Sequence, residues 1–180
     1  MADWLDRMRR AGPGARTWRW LERHRAVHGV VAGCGGALAI FAMEWASRAS
    51  GTPLGAIPFA TSIVLVMGSP EADPAQPRAL VGGHLVAALV GLVIVKLVGP
   101  NPWAAALAVG LAMMAMHLTG TFHPPAGINP LLVVVNNFSW TYIIVPVACG
   151  ALLLVGFAYA WHNVARRGFS HGRPWPSRWW

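Results

Sequence analysis

Acidic side chains are scarce in this sequence, six in 180 residues, and none follows Asp73. Between Arg78 and Arg166 the single formal charge is Lys96. A soluble domain of this length does not leave so long a stretch almost bare of charge. Cysteine is nearly absent as well. Cys34 and Cys149 both fall in apolar sequence and read as small packing residues, not as a disulfide or redox pair. No nucleophile stands beside a base, no glycine-rich phosphate loop occurs and no carboxylate pair is present, so an enzyme is not expected. The arginine-rich start lacks a short apolar region ending at a small-residue cleavage site, so no cleavable signal peptide is expected.

What fills the space is hydrophobic: 56% of residues, against 11% charged. The net charge of +8 is confined to the flanks. Arg7, Arg9, Arg10, Arg16, Arg19, Arg23 and Arg25 precede the first apolar stretch, and Arg166, Arg167, Arg173 and Arg178 follow the last. That distribution predicts a multi-pass protein of the cell (inner) membrane with both termini cytoplasmic, and it argues against nucleic acid as partner. The division expected is an Arg-Trp-rich cytoplasmic or interfacial segment over 1–25, a transmembrane domain over 26–162 and a cytoplasmic basic-aromatic tail over 163–180. Tryptophan alternates with arginine at Trp18, Arg19, Trp20 and again at Arg173, Trp175, Arg178, Trp179, so both flanks read as anchors at the level of the lipid headgroups.

The fold class expected is all-α, a polytopic transmembrane bundle. Four segments are long enough to cross: 26–48, 79–99, 102–120 and 140–162. Two shorter apolar segments, 54–68 and 126–137, reach only about 20 Å at 1.5 Å per residue, against a hydrocarbon core of roughly 30 Å. They read as re-entrant half-helices or broken crossings. Each runs from a proline through small and polar residues into branched aliphatics, from Pro58 and from Pro125, at an offset of 67 residues that also carries Gly83 onto Gly150. An internal duplication of span, short segment, span is inferred. Lys96 favours the four-span version, with Lys96 near the cytoplasm and Arg48 and Arg78 external. Small residues four apart at Gly29 and Gly33, at Gly83, Ala87 and Gly91, and at Gly156 and Ala160 predict close helix packing, with a homo-oligomer expected.

The chemistry must come from polar groups placed deep. In Thr119-Gly120-Thr121-Phe122-His123-Pro124-Pro125-Ala126-Gly127 an apolar helix is broken by two prolines. Such a break inside a bilayer needs a cavity or a satisfying partner. His123 opens it, His84 follows Gly82 and Gly83, and His117 closes the preceding span. An imidazole can hold a small anion, pass a proton or simply bond a neighbouring carbonyl. Ala126, Gly127, Ile128 and Asn129, like Ala60, Thr61 and Ser62, could begin short helices whose facing N-terminal amides attract an anion; the alternative is that Thr61, Ser62 and Asn129 merely cap those helices. Glu44 reads as an interfacial side chain. Met113, Met116 and His117 share a face that copper(I) could use, but methionine packing is the commoner use of that pattern, and neither metal nor cofactor is expected.

The run Leu118 to Gly127, with Phe122-His123-Pro124-Pro125-Ala126-Gly127 at its centre, resembles the signature of the HPP family of integral membrane proteins. Ala75-Gln76-Pro77-Arg78-Ala79-Leu80-Val81-Gly82-Gly83-His84, with Gly68-Ser69-Pro70-Glu71 upstream, resembles that family's other diagnostic segment. The resemblance covers roughly residues 25–162. It implies a compact bundle with four transmembrane segments. Plastid and cyanobacterial relatives are associated with nitrite transport, and many bacterial relatives have no assigned substrate.

The function expected is a membrane transporter or channel for a small monovalent anion, nitrite first. His123, with Pro124 and Pro125 and the turn Ala126, Gly127 to Asn129, would form one wall of the site and Thr61 with Ser62 the other. His84 would hold or protonate the anion, and Arg78 would guide it at the mouth or pair with Glu71 or Asp73. The alternatives are a non-transporting structural or regulatory subunit, for which a dry, filled centre would speak, and a channel for another small solute.

Overall fold

The computed structural model describes residues 15–52, 56–163 and 175–179, with side-chain detail from Arg25 onward. Arg7, Arg9, Arg10, Arg166, Arg167 and Arg173 lie outside the described residues, as do the corresponding parts of the expected flanking segments. All regular elements among the described residues are helical. Six α-helices follow in order: α1 Ala15–Ser50, α2 Ala56–Gly68, α3 Pro77–Val98, α4 Pro102–Leu118, α5 Ile128–Asn136 and α6 Cys149–Asn163. Tight 3-10 turns at Asp73–Ala75 and Pro124–Gly127 precede α3 and α5, and a wide-turned stretch, Ile143–Ala148, leads into α6.

Proline and glycine set the boundaries. Pro77 and Pro102 stand in first turns, where a missing N–H removes no helical bond. Asn101 caps α4 by accepting from the Ala104 amide at 2.9 Å. Past the ends of α3 and α4, Gly99 (φ 82°) and Gly120 (φ 64°) take left-handed backbone that other residues resist. Val145 is extended (φ −127°, ψ 116°) before Pro146, which has no N–H to give, so the expected span 140–162 is an interrupted one.

Among the described residues three stretches are long and apolar enough to cross a bilayer: Arg25–Ser50, Pro77–Val98 and Ile143–Asn163. The expected span at 102–120 is a helix of 17 residues, near the lower limit of crossing length, because Thr119 and Gly120 end it. Helix α1, with 36 residues, is about 54 Å long. The Arg-Trp stretch over 16–23 therefore continues the first helix and is not a separate element. Apolar side chains such as Phe41, Val64, Leu107 and Leu118 are exposed around the outside, as a hydrocarbon solvent permits.

Contacts fix the direction of each element. His28 Nε2 meets the Gly68 carbonyl at 3.0 Å, so α2 ends beside the first half of α1 and runs against it. Arg78, at the start of α3, bonds the Thr119 carbonyl just past α4, and His162 near the end of α6 meets the Val66 carbonyl in α2. The elements thus alternate in direction, and the two short helices continue the alternation instead of returning to their own side. Arg78 lies at one end of the bundle, together with Asn163 and the 175–179 segment. Arg48 and Lys96 lie at the other. This corrects the four-span expectation, which put Arg48 and Arg78 on one face.

Helix α3 is central because its small residues admit neighbours. A Cβ on Gly91 would sit 2.7 Å from Pro130 Cα, and one on Gly83 would sit 2.6 Å from His123 Cβ and 2.8 Å from the Thr121 carbonyl. At Gly29, Gly33 and Gly156 an added Cβ meets nothing within 4 Å, so these positions do not pack helix on helix within the chain as expected. The faces of α1 and α6 that carry them point outward. Cys34 and Cys149 are exposed too, so neither is an internal packing residue. Three apolar clusters result, one around Met43, Phe59, Ile63, Leu80 and Leu154, a second around Leu92, Ala108, Val133 and Val147, and a smaller third around Ala87, Ala112, Met116 and Ala126.

Candidate functional site

Both histidines of the expected site end up in the interior with two further polar side chains. Ser62, His84, His123 and Asn129 are each 0% exposed. Ser62 comes from the second turn of α2 and His84 from α3, one residue past the glycine that lets the chain at His123 approach. His123 ends the extended run before Pro124, and Asn129 lies in the first turn of α5. Ser62 Oγ stands 2.8 Å from His84 Nε2 and 2.9 Å from His123 Nε2. Asn129 Nδ2 is 2.7 Å from His84 Nδ1, and Tyr142 donates its hydroxyl to Asn129 Oδ1 at 3.0 Å. His123 Nδ1 is 2.6 Å from the Pro74 carbonyl. The Phe59 ring lies against His84, centroids 4.4 Å apart.

The proton positions follow from the partners. The Pro74 carbonyl can only accept, so His123 Nδ1 carries a hydrogen, and with one proton per ring its Nε2 accepts from Ser62. The one hydroxyl proton of Ser62 is then used, and Oγ accepts from His84 Nε2. His84 Nδ1 accepts from Asn129 Nδ2, whose second hydrogen goes to the Ala126 carbonyl at 3.1 Å. That last bond also fixes which way the amide faces. Every polar atom of the series Tyr142, Asn129, His84, Ser62, His123, Pro74 has a partner, and all the bonds point one way. This is the arrangement a low-dielectric interior demands, since one unpaired buried donor or acceptor costs about 1–3 kcal/mol.

Ser62 and Asn129 are themselves 67 residues apart, the offset of the inferred duplication, and they grip the two nitrogens of the same imidazole. The short helices of both halves therefore meet on His84. They do so through side chains. Residues 60–62 lie inside α2, which begins at Ala56, so their amides are spent within the helix and do not face the site as a free N-terminus. Thr61 is exposed, about 100° round the helix from Ser62, and is not part of the cluster. Pro124 is exposed, Pro125 and Gly127 are partly buried, and of the turn only Ala126 contributes, through its carbonyl.

Beyond Pro74 lies a cavity of about 330 Å³. Its walls include Pro74, Arg78, His117, Phe122 and, from the far end of the sequence, Arg178. Arg78 lines this cavity and bonds the Thr119 carbonyl at 3.1 Å, and Asp73 pairs with Arg178 at 2.8 Å and not with Arg78. His117 stacks on Phe122, centroids 4.0 Å apart, and Met116 is buried while Met113 is half exposed, so these residues do not converge as a soft-metal site would. Glu44 is exposed and pairs with Arg48. Trp175, expected at the lipid interface, is buried against His162.

Sequence reasoning missed Tyr142, Gln76 and the Pro74 carbonyl. Tyr142 was findable as one of two tyrosines in the chain. A backbone acceptor leaves no mark in a sequence.

An all-α bundle with an outer apolar surface and a buried polar cluster defines a polytopic membrane protein. The family described as HPP, transmembrane region, matches over residues 21–170, and the chain belongs to it. Two transmembrane proteins of Dictyostelium discoideum are similar to it: one 44% identical over 130 residues, covering 68% of this chain and 40% of the relative, the other 40% identical over 130 residues, covering 68% and 44%. The chain spans less than half the length of these curated relatives. No solved structure matches significantly.

Proposed function

We propose that the protein is a transporter or channel for a small monovalent anion, with nitrite the leading candidate, and that the arrangement described above is its closed form. The observation that carries this reading is the convergence of His84 Nε2 and His123 Nε2 on one small hydroxyl, beside a cavity walled by Arg78 and Arg178. A turn of the Ser62 side chain would vacate a point flanked by one N–H donor and one nitrogen acceptor. Nitrite offers oxygen acceptors to the first, and its protonated form offers an O–H to the second. The association of plastid and cyanobacterial members of the family with nitrite supports the choice of ion. We place the cavity end, with the arginine-rich flanks, in the cytoplasm of the cell (inner) membrane. Self-association is part of the same proposal, through the outward glycine faces of α1 and α6.

A second reading, a structural or regulatory subunit that conducts nothing, is favoured by one specific observation. The centre between the short helices is filled by side chains and bonded throughout. Nitrite flux into proteoliposomes, compared with nitrate, formate and chloride, separates the two. Saturable nitrite entry, rising as pH falls and losing that pH dependence in His123→Ala and His84→Gln, is the expected outcome. No flux of any of these anions from folded protein would leave the structural reading standing.

A further inference from the structure

We propose that Arg178 sets the charge of the cavity mouth, and with it the apparent affinity for the anion, by neutralising Asp73 from a remote part of the sequence. The inference rests on the anion reading above. The 175–179 segment is held over the mouth at three separate points. Trp175 is 3% exposed, its ring lies 5.9 Å from that of His162, and its carbonyl accepts from Asn163 Nδ2. The Ser177 amide donates to Gln76 Oε1 at 2.9 Å. Gln76 is itself buried, and its Nε2 donates to the carbonyls of Pro70 and Ala72 at 2.8 and 3.1 Å, so its oxygen has only one way to face. These contacts deliver Arg178 to Asp73 at 2.8 Å, with both side chains more than half exposed on the cavity wall.

So open a pair adds little to folding stability. Its effect on an ion entering the cavity is another matter. Arg78 and Arg178 against Asp73 leave the mouth one positive charge. Without Arg178 the mouth is neutral, and a carboxylate faces the incoming anion. One unit charge at about 4 Å in a water-like medium changes local ion occupancy about fivefold.

The test is initial-rate nitrite uptake into proteoliposomes across a range of concentrations, for wild type, Arg178→Gln, Arg178→Lys, Asp73→Asn and the double variant Asp73→Asn with Arg178→Gln. KM should rise about fivefold in Arg178→Gln with the maximal rate held within about twofold, stay at the wild-type value in Arg178→Lys, fall in Asp73→Asn and return to near wild type in the double variant. At about 1 M of an impermeant salt, where the Debye length is about 3 Å, the differences should vanish. A wild-type KM in Arg178→Gln, or a defect that persists in the double variant, would overturn this inference while leaving transport intact. Absence of uptake by the wild type would overturn the transport reading and this inference with it.

Discussion

At the scale of single residues, the buried cluster turns on Asn129. Its amide uses one oxygen and two hydrogens to serve Tyr142, His84 and the Ala126 carbonyl. Asn129→Leu keeps the volume and strands all of these partners, so we expect a loss of about 3 kcal/mol or more, read as detergent-solubilised unfolding. Tyr142→Phe strands only Asn129 Oδ1 and should cost about 1 kcal/mol. Equal effects would contradict the hub. If Ser62 stands where the anion goes, Ser62→Ala keeps nitrite flux while Ser62→Val, which cannot rotate out of the way, abolishes it. His84, His123, Ser62 and Asn129 were legible in the sequence because polar residues are rare among so many aliphatics. Thr61 shows the limit of that signal: which of two adjacent hydroxyls faces inward depends on where α2 begins, and no residue near 56 announces it.

At the scale of the helix, Gly83 and Gly91 of α3 differ from Gly29 and Gly33 of α1 and from Gly156 of α6, although each belongs to a four-residue spacing of small residues. Gly83→Ala and Gly91→Ala drive a methyl group into backbone or Cα atoms and should cost about 1–3 kcal/mol each by overpacking. Gly33→Ala and Gly156→Ala meet open space within the chain and should leave the melting temperature of the single chain in detergent unchanged or slightly raised, since alanine is the better helix former. Unfolding curves of the four variants check both halves of the contrast. Spacing in a sequence says that a helix has a slim face. It does not say whether a neighbour lies against that face; among these glycines the neighbour is present at Gly83 and Gly91.

For the whole molecule, the alternating path is testable by sidedness. With Cys34 and Cys149 replaced, cysteines introduced at Arg48 and Lys96 should react with an impermeant maleimide from one side of the membrane, and those at Arg78 and Ser177 from the other. Shared sidedness of positions 48 and 78 would restore the four-span arrangement. The number of apolar segments was legible from composition. The direction of the two short ones was not, because a segment of about 20 Å is compatible with turning back or with continuing, and only tertiary contacts such as His28 with Gly68 decide.

The Pro74 carbonyl has a consequence for proton leakage. A relay along hydrogen bonds works by each member passing its proton on and then reversing its own orientation. A peptide carbonyl has no proton to give back, so the end of this relay at His123 cannot reverse while that bond stands, and an asparagine amide in its midst hands nothing on. Bonded in this way, the cluster is an insulator for protons despite its linked imidazoles. Protons can move only when His123 lets go of the loop that walls the cavity. Release of that bond would free the His123 ring to exchange a proton with the cavity, while Asn129 would still close the path toward Tyr142.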